Sequence, residues 1–503
     1  MDERLQHEGL RGLMMSADEA AKLIEPGMTV AMSGFTGAGY PKAVPQALTT
    51  RMNQAADAGE HFQIRVLTGA STAPELDGAL ARAKGMQLRL PYQSDPTVRE
   101  HINAGEMDYI DMHLSHVAQH AWFGFFGDID IAVVEIVGIR EDGSLIPSSS
   151  VGNNKTWLDL ADKVILEINC WQPMALEGMH DVYYGTALPP QRKPIPIYQP
   201  DDRIGEPYLH CPLEKIIAVV KTDAPDRNSA FNPPDEASQQ IAGHLLDFFE
   251  REIQQGRLTE KLLPIQSGVG NIANAVLAGL AKGGYRDLTA YTEVIQDGML
   301  DLLRQGVLRM ASATSFSLSS EGLETFAKDV NFYRDRILLR TQEISNHPEV
   351  VRRLGCIAMN GIVEMDIYGN VNSTHLAGSR VVNGIGGSGD FARNGYLSIF
   401  MTPSTAKSGN ISTIVPMVSH VDHTEHDVMI VVTEQGLADL RGLSPRQRAK
   451  RIIECCAHPD YRPMLEDYFD RACQESYGKH TPHLLPEALA WHQRFIDSGS
   501  MHP

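Results

Sequence analysis

Glu293 stands in the string Leu288-Thr289-Ala290-Tyr291-Thr292-Glu293-Val294-Ile295-Gln296-Asp297-Gly298, where an apolar strand runs toward a helix that restarts near Met299. This spacing predicts a carboxylate at the carboxyl end of a strand, the edge at which open α/β sheets bind ligands. A carboxylate so placed can cap the next helix, pair with an arginine, or act as a nucleophile. The last role is chemically open to it, because glutamate is ionised at neutral pH and attacks an activated carbonyl without a separate base. Position alone favours the first two.

Glycine-rich strings add what attack on an activated carbonyl would need, since glycine lets backbone N–H groups approach a developing oxyanion closely. Gly268-Val269-Gly270 follows the predicted strand Pro264-Ile265-Gln266, and Gly384-Ile385-Gly386-Gly387-Ser388-Gly389 follows Val381-Val382-Asn383. The second string fits the Gly-x-Gly-x-x-Gly dinucleotide pattern, but Asp390-Phe391-Ala392-Arg393-Asn394-Gly395 after it does not read as a clear helix. Gly386-Gly387-Ser388-Gly389-Asp390 misses the Gly-x-Ser-x-Gly elbow at its last position. The cluster His420-Val421-Asp422-His423-Thr424-Glu425-His426 offers metal-ligating types without a helical frame, so hydrogen-bonded structural histidines compete with a metal site. Lys407, with Arg380 and Arg393, could line a basic pocket for a pyrophosphate, or could be solvated surface charge.

The elements that must position these groups recur in two halves. Ser16-Ala17-Asp18-Glu19 forms a capping box, and Thr29 to Met32, Gly34 to Gly39 and Ala43 to Leu48 read as strand, turn and helix. The same unit returns at Ile265, Gly268-Val269-Gly270 and the helix through Ala275, Val276 and Leu280. A hairpin is expected after Val134-Glu135, with its turn at Asp142-Gly143, and another after Val363-Glu364, with its turn at Tyr368-Gly369-Asn370. The strand predicted at Asp162 to Glu167 is echoed at Asp427 to Val432. Two similar open α/β domains are expected, joined in the stretch from Thr222 to Asp235, where Pro225, Asn228, Ser229 and Pro233-Pro234 interrupt regular structure.

A chain of 503 residues suits such a pair of domains, and 43% hydrophobic with 21% charged residues is the balance of a globular enzyme. No apolar run is long enough for a membrane span, and the acidic start Met1-Asp2-Glu3-Arg4-Leu5 resembles neither a secretory signal nor a transit peptide, so the cytoplasm is expected. A net charge of −19 argues against a nucleic-acid partner. The six cysteines lack a Cys-x-x-Cys pair and suit reduced thiols.

Taken together, Ser33-Gly34-Phe35-Thr36, Ser267-Gly268-Val269-Gly270-Asn271, Tyr291-Thr292-Glu293, Gly384 to Gly395, His420 to His426 and Thr433 to Gly442 resemble the acetyl-CoA hydrolase/transferase family. These are class I CoA-transferases, and the resemblance is strongest to the succinyl-CoA:acetate branch. It implies CoA-transferase-type domains at 1–224 and 225–503, the second carrying Glu293 as the residue that forms a glutamyl-CoA thioester. Backbone amides of Val269 and Gly387 would stabilise the oxyanion, with Asn346 as a polar partner. Contacts to coenzyme A are implied for Gln266, Ser267, Gly268, Val269, Gly270, Asn271, Asn383, Gly387 and Lys407, and to the carboxylic acid for Ser71, Arg227 and Glu434. Coenzyme A would be substrate and covalent intermediate, with no resident cofactor or metal, acting on acyl-CoA and small carboxylates in a homodimer. The implied reaction is succinyl-CoA plus acetate to acetyl-CoA plus succinate. Hydrolysis of acetyl-CoA by the same glutamate is the alternative, and a non-catalytic nucleotide-binding protein the second.

Overall fold

The computed structural model describes residues 3–228 and 234–503. Ser229 and Pro233, within the expected joint, lie outside the described residues. One compact unit gathers the chain up to Asn228 together with Thr289–Arg304 and Leu308–Leu354, and the other gathers residues 234–288, 305–307 and 355–503. The segment carrying Glu293 and Asn346 therefore packs with the N-terminal portion. The reason is strand pairing: Leu308–Ala313 pairs with Ile337–Arg340, which pairs in turn with His180–Asp181, all parallel.

In the first unit a parallel sheet runs in the order Asp108–Tyr109, Met86–Leu90, Ile64–Leu67, Thr29–Met32, Ile131–Ile139, Lys163–Asn169 and Ile216–Thr222. The Ile131–Ile139 strand is buried along its whole length, as expected where a parallel sheet is covered on both faces. It also forms the expected hairpin, pairing antiparallel with Leu145–Pro147. Helix Ala43–Asp57 turns Val44, Leu48 and Met52 into a core shared with Val30, Ile64, Val66 and Val133.

The second unit repeats the design with its own core. Ile265–Ser267, Ile357–Gly361, Leu397–Met401 and Ile430–Thr433 are parallel neighbours, and Gly436–Asp439 closes the edge antiparallel. Its expected hairpin also forms, between Glu364–Asp366 and Val371–Asn372. Helix Glu236–Gln254 buries Ile241, Leu245, Phe248 and Phe249, the apolar stripe at helical spacing. Among the described residues no helix is long and apolar enough to cross a membrane.

The first strand-turn-helix unit depends on a buried carboxylate. Glu167 accepts from the backbone N–H groups of Lys42 at 2.6 Å, Ala43 at 2.9 Å and Val44 at 3.0 Å, where helix Ala43–Asp57 begins. Pro45 follows in the same turn and has no N–H to satisfy. Burial raises the Glu167 carboxyl above its ordinary range, against the lowering effect of those donors. Glu167→Ala orphans all three N–H groups, and we expect it to lower the unfolding free energy by about 2–4 kcal/mol, read from the urea midpoint, with Glu167→Gln losing less.

Candidate active site

Glu293 lies in the link between strands Leu288–Tyr291 and Val294–Gln296, at the carboxyl end of the first, and helix Asp297–Arg304 follows directly. The helix starts earlier than Met299 because Asp297 occupies its first turn. The Glu293 carbonyl accepts from Thr314 N at 3.0 Å, and Thr292 N donates to Ser312 O at 2.9 Å, which fixes the backbone on both sides of the carboxylate. Asn346 is fully buried, and its Nδ2 donates to Glu293 Oε2 at 3.2 Å. The expected polar partner thus reaches the carboxylate directly.

Three loops from the N-terminal sheet converge beside this segment. Phe35, Ala70, Leu114 and Val294 form one buried apolar cluster, which brings the residue after Glu293 against the loops of residues 34–39 and 69–75. Ser315 Oγ donates to Phe35 O at 2.8 Å and Thr36 Oγ1 to Phe316 O at 2.9 Å. The third loop is laced to the first: Arg227 N donates to Gly37 O at 2.9 Å, and Gly37 N to Asn228 Oδ1 at 2.7 Å. A Cβ on Gly37 would stand 1.8 Å from Arg227 O, so only glycine permits this approach. Ser71 is buried in the second loop, and the Arg227 guanidinium, 64% exposed, pairs with Glu75 Oε1 at 2.5 Å. Ser71 thus lies on a loop that packs beside the Glu293 segment, and Arg227 on a stretch laced to its neighbouring loop.

Sequence reasoning missed what holds those loops. Lys42 Nζ stands 2.5 Å from Glu135 Oε2 and 3.0 Å from Asp226 Oδ1, with all three side chains buried. Ser148 Oγ donates to Glu135 at 2.6 Å, Gln172 Nε2 to Asp226 Oδ2 at 2.8 Å, and Gly39 N to Asp226 Oδ1 at 3.1 Å. Burial opposes the charge on Lys42, but Asp226 and Glu135 outweigh it and hold the ammonium protonated well above its ordinary range. Burial raises the Glu135 carboxyl above its ordinary range, against the lowering pull of the Lys42 ammonium. The residues lie far apart in the chain, so no local pattern joins them.

In the second unit the expected coenzyme A residues lie at the carboxyl edge of its parallel strands. Gly268 N donates to Met359 O at 3.0 Å, and Val269 is 56% exposed. Gly270 adopts φ 121°, a glycine conformation, immediately before helix Asn271–Lys282. The Gln266 side chain is engaged within the sheet: its Nε2 donates to Asn360 Oδ1 at 3.2 Å, and its Oε1 accepts from Met359 N at 3.0 Å. Ser267 Oγ donates to Gly268 O at 3.1 Å. Asn383 is half-buried, and Gly387 is the N-cap of helix Ser388–Ala392. A short helix thus does follow the glycine string, anchored by buried Phe391 and Ala392 rather than by helix propensity. Lys407 sits in a turn with its ammonium 4.9 Å from the centre of the Phe495 ring. Glu434 accepts from Ser404 N at 2.7 Å and from the Ser404 hydroxyl; burial alone would raise its carboxyl, but these donors hold it below the ordinary range. Arg380 and Arg393 are exposed.

The histidine string is taken up in hydrogen bonds, with His420 Nε2 3.3 Å from Asp422 Oδ1 and the Thr374 hydroxyl donating to Asp422. His423 Nε2 lies 3.1 Å from Ser388 Oγ, the His420 ring centre lies 3.8 Å from that of His375 at a tilt of 33°, and Asp422 accepts from Ser373 N at 2.6 Å. Among the described residues no group of three or more His, Cys, Asp or Glu is gathered as metal ligands would be.

The sequence profile of the acetyl-CoA hydrolase/transferase N-terminal domain matches residues 1–190, and that of the C-terminal domain residues 322–469. The chain belongs to the acetyl-CoA hydrolase/transferase family and is an enzyme of it. The succinyl-CoA:acetate CoA-transferase of Clostridium kluyveri is 53% identical over 500 residues, covering 99% of this chain and 92% of that protein. The acetyl-CoA hydrolase of Schizosaccharomyces pombe is 45% identical, over 96% of this chain and 95% of its own. RipA from Yersinia pestis shares the fold, with a TM-score of 0.71 at 22% identity, over 91% of this chain and 97% of RipA.

Residues Glu343, Ile344 and His347, on either side of Asn346, line a cavity of about 240 Å³ whose wall also carries His116, Tyr183 and Arg192. Burial, with the Arg192 charge as a second cause, pushes the His347 imidazole down to about 4. The folded state therefore prefers neutral His347, and its contribution is complete above pH 6.5 and lost as pH falls toward 4. We expect His347→Gln to flatten the fall of unfolding free energy across that window, measured by urea titrations at stepped pH.

Proposed function

We propose that this enzyme is a CoA-transferase that moves coenzyme A between small carboxylic acids, with succinyl-CoA and acetate giving acetyl-CoA and succinate, by ping-pong exchange through a thioester on Glu293. The observation that carries the reading is the Asn346 amide donating to the Glu293 carboxylate at the carboxyl end of its strand. A hydrogen-bond donor on a carboxyl oxygen stabilises the charge that develops there when the glutamyl carbonyl is attacked.

A carboxylate oxygen of Glu293 attacks the acyl-CoA carbonyl carbon, the carbon–sulfur bond breaks, and an acyl-glutamyl anhydride and CoA thiolate result. The thiolate attacks the glutamyl carbonyl and the anhydride carbon–oxygen bond breaks, releasing the first acid and leaving coenzyme A on Glu293. A second carboxylate then attacks this thioester, and the steps run in reverse to deliver the new acyl-CoA and regenerate Glu293. Thioester energy is conserved throughout, so this chemistry calls for neither a metal nor a resident cofactor. We assign coenzyme A contacts to Gln266 through Asn271, Asn383, Gly387 and Lys407, and carboxylate contacts to Ser71, Arg227 and Glu434. In the case of Gln266 the contact falls to the backbone, since its side chain is already bonded to Asn360 and Met359. A cytoplasmic homodimer is the setting the resemblance supports.

Relatives named as transferase and as hydrolase are both close in sequence, so the second reading is hydrolysis, with water attacking the same intermediate.

Two measurements test the reading. Hydroxylamine or borohydride, added after incubation with acyl-CoA, should modify Glu293, and Glu293→Ala should lower kcat by about 10⁴-fold or more; turnover with unmodified Glu293 would overturn the mechanism. With the wild-type enzyme, consumption of succinyl-CoA should depend on added acetate, and free CoA appearing equally fast without an acceptor would establish the hydrolase.

A further inference from the structure

The Asn346 amide has two faces, and only one helps a carboxylate. Nδ2 donates to Glu293 Oε2 at 3.2 Å, while Oδ1 accepts from the neighbouring Ser345 hydroxyl at 2.7 Å. Rotated by half a turn, the amide would set its oxygen against the ionised Glu293, lone pair facing lone pair. The Ser345 hydroxyl also lies 3.3 Å from Gln342 O, a longer and weaker contact, so its proton goes to the amide oxygen. Ser345 is fully buried.

The turn that presents these two residues is itself fixed. Gln342 N donates to Gly152 O at 2.8 Å and Gln342 Nε2 to Leu114 O at 3.0 Å. The Tyr291 hydroxyl donates to Ile344 O, and Tyr291 lies on the strand that ends just before Glu293. The bonds close a ring from Glu293 along its own strand to Tyr291, across to Ile344, and back through Ser345 and Asn346.

We propose that Ser345 is a positioning residue for the reaction, fixing the orientation of the Asn346 amide so that its N–H is always aimed at Glu293. The proposal rests on the reading of Glu293 as nucleophile and Asn346 as its donor. Its consequence is a demand on both states of the cycle: with Oδ1 tied to Ser345, Nδ2 is presented unchanged whether Glu293 carries a free carboxylate or the thioester carbonyl. Nothing need reorient as the intermediate forms, which is the advantage of preorganised donors.

The test is a double-mutant cycle of Ser345→Ala and Asn346→Ala, read as kcat and KM for acyl-CoA, with thermal unfolding of each variant alongside. Ser345→Ala should lower kcat about tenfold with KM unchanged, and should cost nothing further in the Asn346→Ala background. The double variant also removes the amide oxygen that Ser345→Ala orphans, so the comparison with Asn346→Ala stands even if the single variant is destabilised. Full kcat in Ser345→Ala, or losses that simply add, would overturn the proposal. Failure to trap Glu293 in the wild-type enzyme would instead overturn the underlying mechanism, so the two failures are distinguishable.

Discussion

The buried ammonium of Lys42 is the interaction on which the first unit's site depends. It draws Glu135 from strand Ile131–Ile139 and Asp226 from the chain beyond Ile216–Thr222 to one point. Asp226 in turn binds Gly39 N, and the next two residues lace onto Gly37. Removing one partner of such a buried, hydrogen-bonded group leaves an uncompensated charge and costs about 3–5 kcal/mol. Its larger consequence is geometric, because the loops that carry Ser71 and Arg227 and pack on Val294 have no regular structure of their own to hold them.

A second constraint acts along the strand edges. In both units the parallel strands end at the edge where the chemically suggestive residues gather. In the first unit the loops of 34–39 and 69–75 leave that edge, and in the second the chain leaves it at Gly268, Thr402 and Glu434. Parallel strands direct their connecting loops to one side, so a repeated parallel design offers the same kind of edge twice. What differs is the local filling. The first unit supplies carboxylate, amide and guanidinium side chains; the second supplies an exposed glycine loop and a helix N-cap at Gly387.

Glu293 takes its character from what touches it. A half-buried carboxylate in a two-residue link between strands could cap a helix, yet the next helix is begun by Asp297, whose carboxylate accepts from Ser319 N at 3.0 Å. The Glu293 side chain instead meets the Asn346 amide, which is held by bonds running back to Glu293's own strand. That arrangement holds the carboxylate in one orientation, as the proposed nucleophilic role would use.

Much of the architecture was legible in the sequence, because strands, tight turns and capping boxes are local. The apolar run at Ile131–Ile139, the Gly369 turn and the Ser16–Glu19 capping box each follow from neighbours in the chain. The sequence by itself determined the repeated α/β design, the place of Glu293 at a strand end and, through its strings, the family. Only the tertiary structure decided that Thr289–Arg304 packs with the N-terminal unit, that the short Ser388–Ala392 helix forms, and that Lys42, Glu135 and Asp226 meet. The physical reason is range: hydrogen bonds within a turn are written in adjacent residues, whereas the burial that makes Lys42 and Asn346 matter exists only once distant strands have closed around them.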